Sequence, residues 1–507
     1  MVCPVRVRVT IDRGCDLKRL GFIILALLML TGTLFAAAPD QSLRPQYRPG
    51  SVLPDGADAL LRRYARSGDL GYVVYDLTTG RTIEQRNAAQ GFAPASVTKA
   101  ITGLYALWHL GPEFRYKTRV MATGPIIDGT VQGDLILAGQ GDPVLDTDDL
   151  VTLARAVKAA GVRNITGDYL YYADALPYFR DIDPDQPVHV GYNPAISGLN
   201  LNFNRVYFDW KRAGAGYRVQ MDARSDQIRP VVSHVTMRVA ERDAPLFAYR
   251  QDGPQENWSV AKPALGQQGG RWLPVRDPAL YTATVFASLA RDTGITLPKP
   301  KRTTTQTAQS TVAEITSAPM RVLVQLMLKY SNNMLAETLG LTVAKSTGQP
   351  VTSLRQSAGH MTRWAKQTLG MKNARFDDHS GLNDTSRVPP TDMVRALING
   401  RTKFPDYAAL LKPIKPRTAA GDLGKSGQAN ILAKTGTLNF VTALAGYLRD
   451  KNGANYAFAI FQQDMAARNA ANTAQQETPS GSRRWRARAV NIQSGLLYRW
   501  ARFTAMD

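Results

Sequence analysis

Three short groupings of residues have the types and the order that acyl transfer to a serine requires. Ser96 and Lys99 stand three residues apart in "APASVTKAITGLYALWHLG", Ser331 and Asn333 share "YSNN", and Lys434, Thr435, Gly436 and Thr437 run through "AKTGTL". Such a reaction needs a nucleophile, a base, a route for the leaving group's proton and an oxyanion pocket. Ser96 offers the hydroxyl, and Lys99, one turn further along the same helical face, offers the base. Ser331 can pass a proton towards a leaving amine, and Asn333 can hold a substrate amide. Lys434 raises the local positive potential and favours a neutral Lys99 by like-charge repulsion. The strand that carries it can pair with an extended peptide, and Gly436 admits a close backbone. The backbone N–H groups of Ser96 and Thr437 then form the oxyanion hole, one such donor being worth about 3–4 kcal/mol. The hydroxyls of Thr435 and Thr437, with Lys434, suit a substrate carboxylate.

Each grouping alone has an ordinary reading. A serine at the mouth of a helix is most often a cap. A second Ser-x-x-Lys, Ser259 and Lys262, runs straight into Pro263 and reads as loop, as does Lys425-Ser426-Gly427 in "GDLGKSGQAN". What separates the three groupings from these is the element each one sits on. Val97, Ile101, Leu104, Tyr105 and Trp108 recur at helical spacing, and Gly111-Pro112 ends the run. This puts Ser96 at or near the N-cap and Lys99 in the first turn, where the helix dipole disfavours a cation and helps lower its pKa. "YSNN" falls between two helical runs, "MRVLVQLMLKY" and "MLAETLGLTVA", and "AKTGTL" falls inside a β-like run.

Around these, "LGYVVYDLTTGRTIEQRN" reads as a hairpin, and Phe114 to Pro300 as mostly β material set between the first and second groupings. "RDIDPDQPVH" carries Asp181, Asp183 and Asp185 at alternate positions, without the glycine turn and later glutamate of a calcium loop, and reads as a solvated loop. "MAARNAANTAQQETPSGS" reads as a flexible loop. Trp485, Ala489, Ile492, Leu496, Trp500 and Phe503 mark a closing helix with arginines on its other faces. Helices, strands and a closing helix predict an α/β fold with α/β/α layering.

Composition narrows the chemistry further. The 507 residues carry a formal net charge of +21 and two cysteines. Arg6, Arg8, Arg13, Lys18 and Arg19 precede the apolar run "LGFIILALLMLTGTLFAAA", so residues 1–38 read as an export signal cut near Ala36 to Ala38, or as an uncleaved anchor. Either places the rest outside the cytoplasm. Removing that leader takes five basic and two acidic residues from the +21 and leaves +18. An exported chain with that balance points to an acidic wall polymer or membrane surface for weak association, not to nucleic acid. Cys3 and Cys15 both precede the apolar run, which excludes disulfides and thiol chemistry from the mature chain. The five histidines are scattered, with no His-Glu-x-x-His and no Gly-x-Ser-x-Gly, so neither a metal site nor a serine–histidine triad is expected.

The trio Ser-x-x-Lys, Ser-x-Asn, Lys-Thr-Gly resembles the penicillin-recognising serine enzymes. Ser96 and Ser331 are 235 residues apart, which resembles the class C low-molecular-mass penicillin-binding proteins, the D-Ala-D-Ala carboxypeptidase/endopeptidase family of the penicillin-binding protein 4 type. "GDLILAGQGDPVL", "ISGLNLNFN", "LPVRDPALY", "SNNMLAETL" and "DHSGLN" are similar to its recurring segments, from about Gly71 to the C-terminus. The resemblance implies a β-lactamase/transpeptidase-like α/β/α domain with two mostly β domains inserted between the first two motifs. It assigns residues 39–112 and 300–507 to the catalytic domain, 113–138 and 205–299 to one insert, and 139–204 to the other. It implies a periplasmic enzyme that trims or cuts peptidoglycan stem peptides, is acylated by β-lactams and needs no metal or cofactor. This sequence departs from the family at Tyr172, where many members have an acid, at Asp384, where they have an arginine, and at His379, where they have a glycine. The acid and arginine help those members hold the charged end of a diaminopimelate side chain, and Arg387 is the candidate substitute here. A β-lactamase fits poorly, since the gap is too long and Glu-x-x-Leu-Asn is missing. The competing classes are a non-catalytic peptidoglycan- or penicillin-binding protein, which a missing motif residue would favour, and an esterase of the same fold.

Overall fold

The computed structural model describes residues 68–418, 421–422, 429–471 and 476–501. The expected leader and the Lys425-Ser426-Gly427 triplet lie outside the described residues. Strands β1 (Asp69–Asp76) and β2 (Arg81–Arg86) form the expected hairpin. Far along the chain, β3 (Ala429–Leu438), β4 (Val441–Asp450) and β5 (Asn455–Gln463) form a meander. The two pieces join because β1 pairs antiparallel with β5 from Asp69–Gln463 to Asp76–Tyr456. The sheet order is Lys412–Pro413, β3, β4, β5, β1, β2.

Alternation along these strands separates two cores. Val73, Ala443, Ala445, Ala457, Ala459 and Phe461 face one layer of helices, their small side chains letting the helices come close. That layer is α1 (Thr98–Leu110), α2 (Met320–Tyr330), α3 (Asn333–Ser346), α4 (Leu354–Leu369) and α5 (Pro390–Lys403). Tyr72, Val74, Leu444, Phe458 and Ile460 face the opposite way, onto α6 (Ser482–Trp500). Ala489, Ile492, Leu496 and Trp500 of α6 are buried there, and Arg483, Arg484, Arg486 and Arg488 stay exposed. The layers are therefore α/β/α.

Helix α1 is not the one-striped helix that its spacing predicts. Every residue from Thr98 to Leu107 is buried, while Trp108 is 37% exposed. The helix is the centre of its layer, packed against α2, α3 and α4, so from Thr98 to Leu107 all its faces are interior and only its last turn reaches solvent.

The inserted material is bounded differently from the assignment made on sequence. Leu135–Gly139 and Tyr169–Tyr172 are adjacent parallel strands of one five-stranded sheet, with Lys117–Ala122 beside them and Lys301–Thr303 and Ser310–Thr316 at its edges. The expected boundary at 138/139 falls within the strand Leu135–Gly139, and the same sheet takes in strands up to Thr316, beyond the expected end at 299. Strand-like runs reveal their own period but not their partners, which is why the boundaries were missed. Two three-stranded sheets lie within Arg205–Pro274. Ser259 belongs to one of them, not to a loop, and Lys262 opens a 3₁₀ turn.

The acidic "RDIDPDQPVH" segment is a loop, as expected, but only part of it is solvated: Asp185 is exposed and Asp183 is buried. Asp183, 4% exposed, accepts from the Asp185 N–H and from Gln186 Nε2, and the Asn193 side chain clamps both sides of its backbone. The buried Arg276 guanidinium donates to the carbonyls of Arg180, Val188 and Asn193. A rigid loop results, and it carries Gln186 and Tyr192 to the site described next. No helix among the described residues is long and apolar enough to cross a membrane.

Candidate active site

Ser96 does not cap α1. It sits in a 3₁₀ turn, Ala95–Val97, just ahead of a helix whose N-cap is Val97, with no side-chain capping bond. Its hydroxyl is left for Lys99, whose Nζ lies 3.0 Å from Ser96 Oγ. The turn is held in an unusual shape: Ala95 has φ 45°, a left-handed backbone that costs a non-glycine residue energy. Two glycines clamp it. A Cβ on Gly381 would lie 1.8 Å from Ala95 O, and one on Gly436 would lie 2.8 Å from Pro94 O. Gly436 therefore brings its strand against the turn beneath Ser96, a use beyond the substrate approach expected from sequence.

Lys99 is fully buried. Besides Ser96 Oγ, its Nζ meets Asn333 Oδ1 at 2.7 Å and Ser380 O at 2.6 Å. Those two oxygens can only accept, so a neutral lysine spends its two N–H bonds on them and turns its lone pair to the Ser96 hydroxyl. Burial pushes its pKa down to about 7, against the nearby Asp378 and Glu337 carboxylates, which favour the ammonium. Burial, not the repulsion by Lys434 expected from sequence, is thus the main cause. The repulsion is felt on Lys434, which burial first and Lys99 second hold well below the usual lysine range.

The turn between α2 and α3 aims two side chains at the same point. Ser331 closes α2 in the left-handed conformation, φ 57°, and Asn332 caps α3 through the Leu335 N–H. Asn333 is the first residue of α3, and its Nδ2 donates to Tyr192 O of the insert at 3.0 Å, which fixes Oδ1 towards Lys99. Lys434 reaches across from β3, its Nζ 2.9 Å from Ser331 Oγ and 2.6 Å from Thr435 O. Thr435 and Thr437 project on the exposed face of β3, opposite Lys434 and Gly436. Lys412–Pro413 pairs only with Ala433 and Leu432. From Lys434 onward, among the described residues, β3 keeps one edge without a strand partner, open to an extended peptide.

A cavity of about 370 Å³ opens in front, with Ser96, Ser331, Asn333 and Thr437 in its lining. Its far walls come from residues the sequence reading missed: Gln186 and Tyr192 of the insert, and Arg468 and Glu477. Arg468 lies in the segment expected to be a loop, where a short helix, Met465–Asn469, buries it. It pairs with the Asp384 carboxylate and donates to Asn439 O at 2.9 Å. The expected substitute, Arg387, instead donates to the carbonyls of Asp384 and Ser386. Tyr172 is half-buried on its strand and is not in the cavity lining. His379 is buried beneath α3, its Nε2 2.8 Å from Ser357 Oγ, and burial pushes its pKa down to about 3. Among the described residues, no cluster of His, Cys, Asp or Glu is arranged to hold a metal ion.

Comparison with known proteins gives a consistent picture. Residues 58–481 match the family described as D-Ala-D-Ala carboxypeptidase 3 (S13). The chain is 27% identical over 538 aligned residues to a D-alanyl-D-alanine carboxypeptidase of Actinomadura sp. (strain R39), covering 95% of this chain and 96% of that one. It is 24% identical over 424 residues to the D-alanyl-D-alanine carboxypeptidase DacB of Haemophilus influenzae, covering 79% and 87% of the two chains. Its fold is similar to the crystal structure of penicillin binding protein 4 from Haemophilus influenzae, with a TM-score of 0.70 at 21% identity, over 88% of this chain and 100% of that one.

Proposed function

The chain belongs to the D-Ala-D-Ala carboxypeptidase 3 (S13) family; it is a serine-type D-Ala-D-Ala carboxypeptidase of the penicillin-binding kind, and we propose how its residues carry the reaction. Ser96 Oγ attacks the carbonyl carbon between two D-alanine residues of a peptidoglycan stem peptide while neutral Lys99 takes the hydroxyl proton. The backbone N–H groups of Ser96 and Thr437 receive the developing oxyanion. The C–N bond then breaks as Ser331, its oxygen held by Lys434, passes its proton to the leaving amine and is resupplied from the Lys99 ammonium, which leaves Lys99 neutral again. Water attacks the Ser96 ester while Lys99 takes its proton, the ester C–O bond breaks with that proton returned to Ser96 Oγ, and the shortened peptide is released. The substrate lies along the open edge of β3, its amide near Asn333 and its terminal carboxylate near Thr435 and Thr437. A cross-link that ends in D-alanine presents the same bond, so the same steps serve a DD-endopeptidase. The observation that carries this reading is the commitment of both Lys99 N–H bonds to acceptors, with Ser96 Oγ at the remaining position.

The enzyme is proposed to act outside the cytoplasm, on the strength of the leader pattern in residues 1–38. The remaining balance of +18 supports weak attachment to an anionic wall polymer or membrane surface, which salt-dependent sedimentation with isolated cell walls would check. The decisive test of mechanism is intact-mass spectrometry after incubation with benzylpenicillin, beside Ser96→Ala. One penicilloyl increment on the wild type, and none on the variant, is expected. Folded wild-type protein that neither gains the adduct nor turns over penicillin would refute the acyl-enzyme. D-Ala-D-Ala peptides and cross-linked muropeptides then assign the bond.

A further inference from the structure

Beneath Lys99 lie two carboxylates for which the reaction as described has no use. Glu337 stands one turn beyond Asn333 on α3 and is fully buried. Its Oε1 accepts from the Ser380 N–H at 2.8 Å, and its two oxygens accept from the His379 backbone N–H at 3.2 and 3.1 Å. Asp378, 1% exposed, accepts from the Gly381 N–H at 2.6 Å, the Asn383 N–H at 2.8 Å and the Ser380 hydroxyl at 3.3 Å. Residues 378–383 are thus folded around two carboxyl groups, whose oxygens accept from the loop's own N–H groups and the Ser380 hydroxyl. What that folding delivers is a single carbonyl, Ser380 O, against Lys99 Nζ. The peptide unit between Ser380 and Gly381 bridges the two sides, its carbonyl on the lysine and its N–H on Asp378.

Burying two carboxylates side by side is costly, and a loop of this size has cheaper ways to close. Their charge, however, falls on the atom that gains a proton when Ser96 attacks. An anion there favours the ammonium that forms in the transition state, where the stabilisation counts. We propose that Glu337 is a positioning residue for the base: with Asp378 it holds the Ser380 carbonyl on Lys99 and sets the pH at which Lys99 can take a proton from Ser96. The other charged group facing Lys99 is Lys434, which opposes this effect, and His379 on the same loop is buried neutral. Burial raises both carboxyls, the Asp378 charge pushes Glu337 further, to about 8, and each raises the proton affinity of Lys99 when it is ionised.

The proposal rests on the acyl-enzyme reading above. The test measures second-order acylation by benzylpenicillin, and kcat and KM for a D-Ala-D-Ala peptide, from about pH 5 to 9 for wild type and Glu337→Gln. Loss of the anion makes Lys99 a weaker base. The acid limb should move down by about half a unit or more, and the plateau should fall at least about tenfold with KM within about twofold. Glu337→Asp, which keeps the charge, should restore the position of the limb. A folded Glu337→Gln protein with an unmoved limb, whether its rate is normal or uniformly reduced, would overturn the proposal. Asp378→Asn should shift the limb in the same direction and serves if Glu337→Gln does not fold. The wild type alone gives a third check: a limb below about pH 5 would mean that no net negative charge reaches Lys99, and would also overturn the proposal. Failure of wild-type protein to acylate at all is a different result, since it refutes the acyl-enzyme reading itself.

Discussion

Gly381→Ala should separate the packing of the nucleophile's turn from ordinary backbone strain. Gly381 has φ +71°, and a Cβ there would sit 1.8 Å from Ala95 O. The left-handed backbone alone costs an alanine about 1–2 kcal/mol. The contact is the larger matter: a tolerable C···O approach is about 3.3 Å, so one backbone must move by about 1.5 Å. Both candidates matter to the reaction. Ala95 precedes Ser96 directly, and Gly381 follows the carbonyl that holds Lys99. A displacement of about 1 Å at a reacting group can cost roughly 100-fold in rate. Gly348→Ala is the matched control, because Gly348 has φ +68° with nothing within 4 Å of a built Cβ. We expect Gly348→Ala to lose about 1–2 kcal/mol in denaturant unfolding and to acylate normally. Gly381→Ala should lose more stability and at least about 100-fold in benzylpenicillin acylation. If Gly381→Ala unfolds cooperatively and acylates within about threefold of the control, the clamp does not position Ser96 and the reasoning fails.

Two further outcomes follow from the site. Arg468→Met and Asp384→Asn, made singly and together, should show a coupling of roughly 1–3 kcal/mol in urea unfolding, because the buried guanidinium meets that carboxylate directly. Additive effects would mean that the pair does not hold the cavity wall. The second outcome concerns pH and His379, whose value falls from 6.5 to about 3 on burial. Below pH 6.5 the unfolded chain takes a proton that the folded one refuses, so this contribution is complete above that pH and is lost as pH falls towards 3. The slope is roughly 1.4 kcal/mol per pH unit. Between pH 7 and pH 5 a His379→Gln protein should therefore lose about 2 kcal/mol less stability than wild type, and an equal loss would contradict the assignment.

The proximity of side chains within each of the three groupings could be read from the chain because each lies within one turn or one strand, where spacing dictates proximity. Ser96 and Lys99 share a face, Ser331 and Asn333 bracket a capping residue, and the Lys-Thr-Gly run keeps strand alternation. What spacing does not convey is what lies beneath. The all-round burial of α1, the glycine clamp on Ala95 and the carboxylates under Lys99 depend on elements hundreds of residues apart. Strand partners in the insert were hidden for the same reason, since a β-patterned run fits several neighbours. Arg468 was lost in a stretch of low complexity, and composition carried no sign that one arginine there is buried. "DHSGLN" carries a family resemblance in sequence, but its physical content, a loop folded around two buried carboxyl groups, depends on Glu337 of a distant helix.

The pairing of β1 with β5 also bears on how the protein is made. The Ala93 N–H bonds to the Gln463 side chain, a contact spanning 370 residues. At about 5–20 residues per second, the ribosome needs roughly 20–70 s to add that stretch. Throughout that interval the first hairpin lacks the strand it lies against, and the turn bearing Ser96 lacks Gly436. The inserted β material, whose strands all fall between Lys117 and Thr316, is complete much sooner and can fold while the rest is still emerging. Ser96 is therefore present early, but its surroundings are assembled late. A chain that stalls before its final strands leaves β1 without β5 and the Ser96 turn without Gly436.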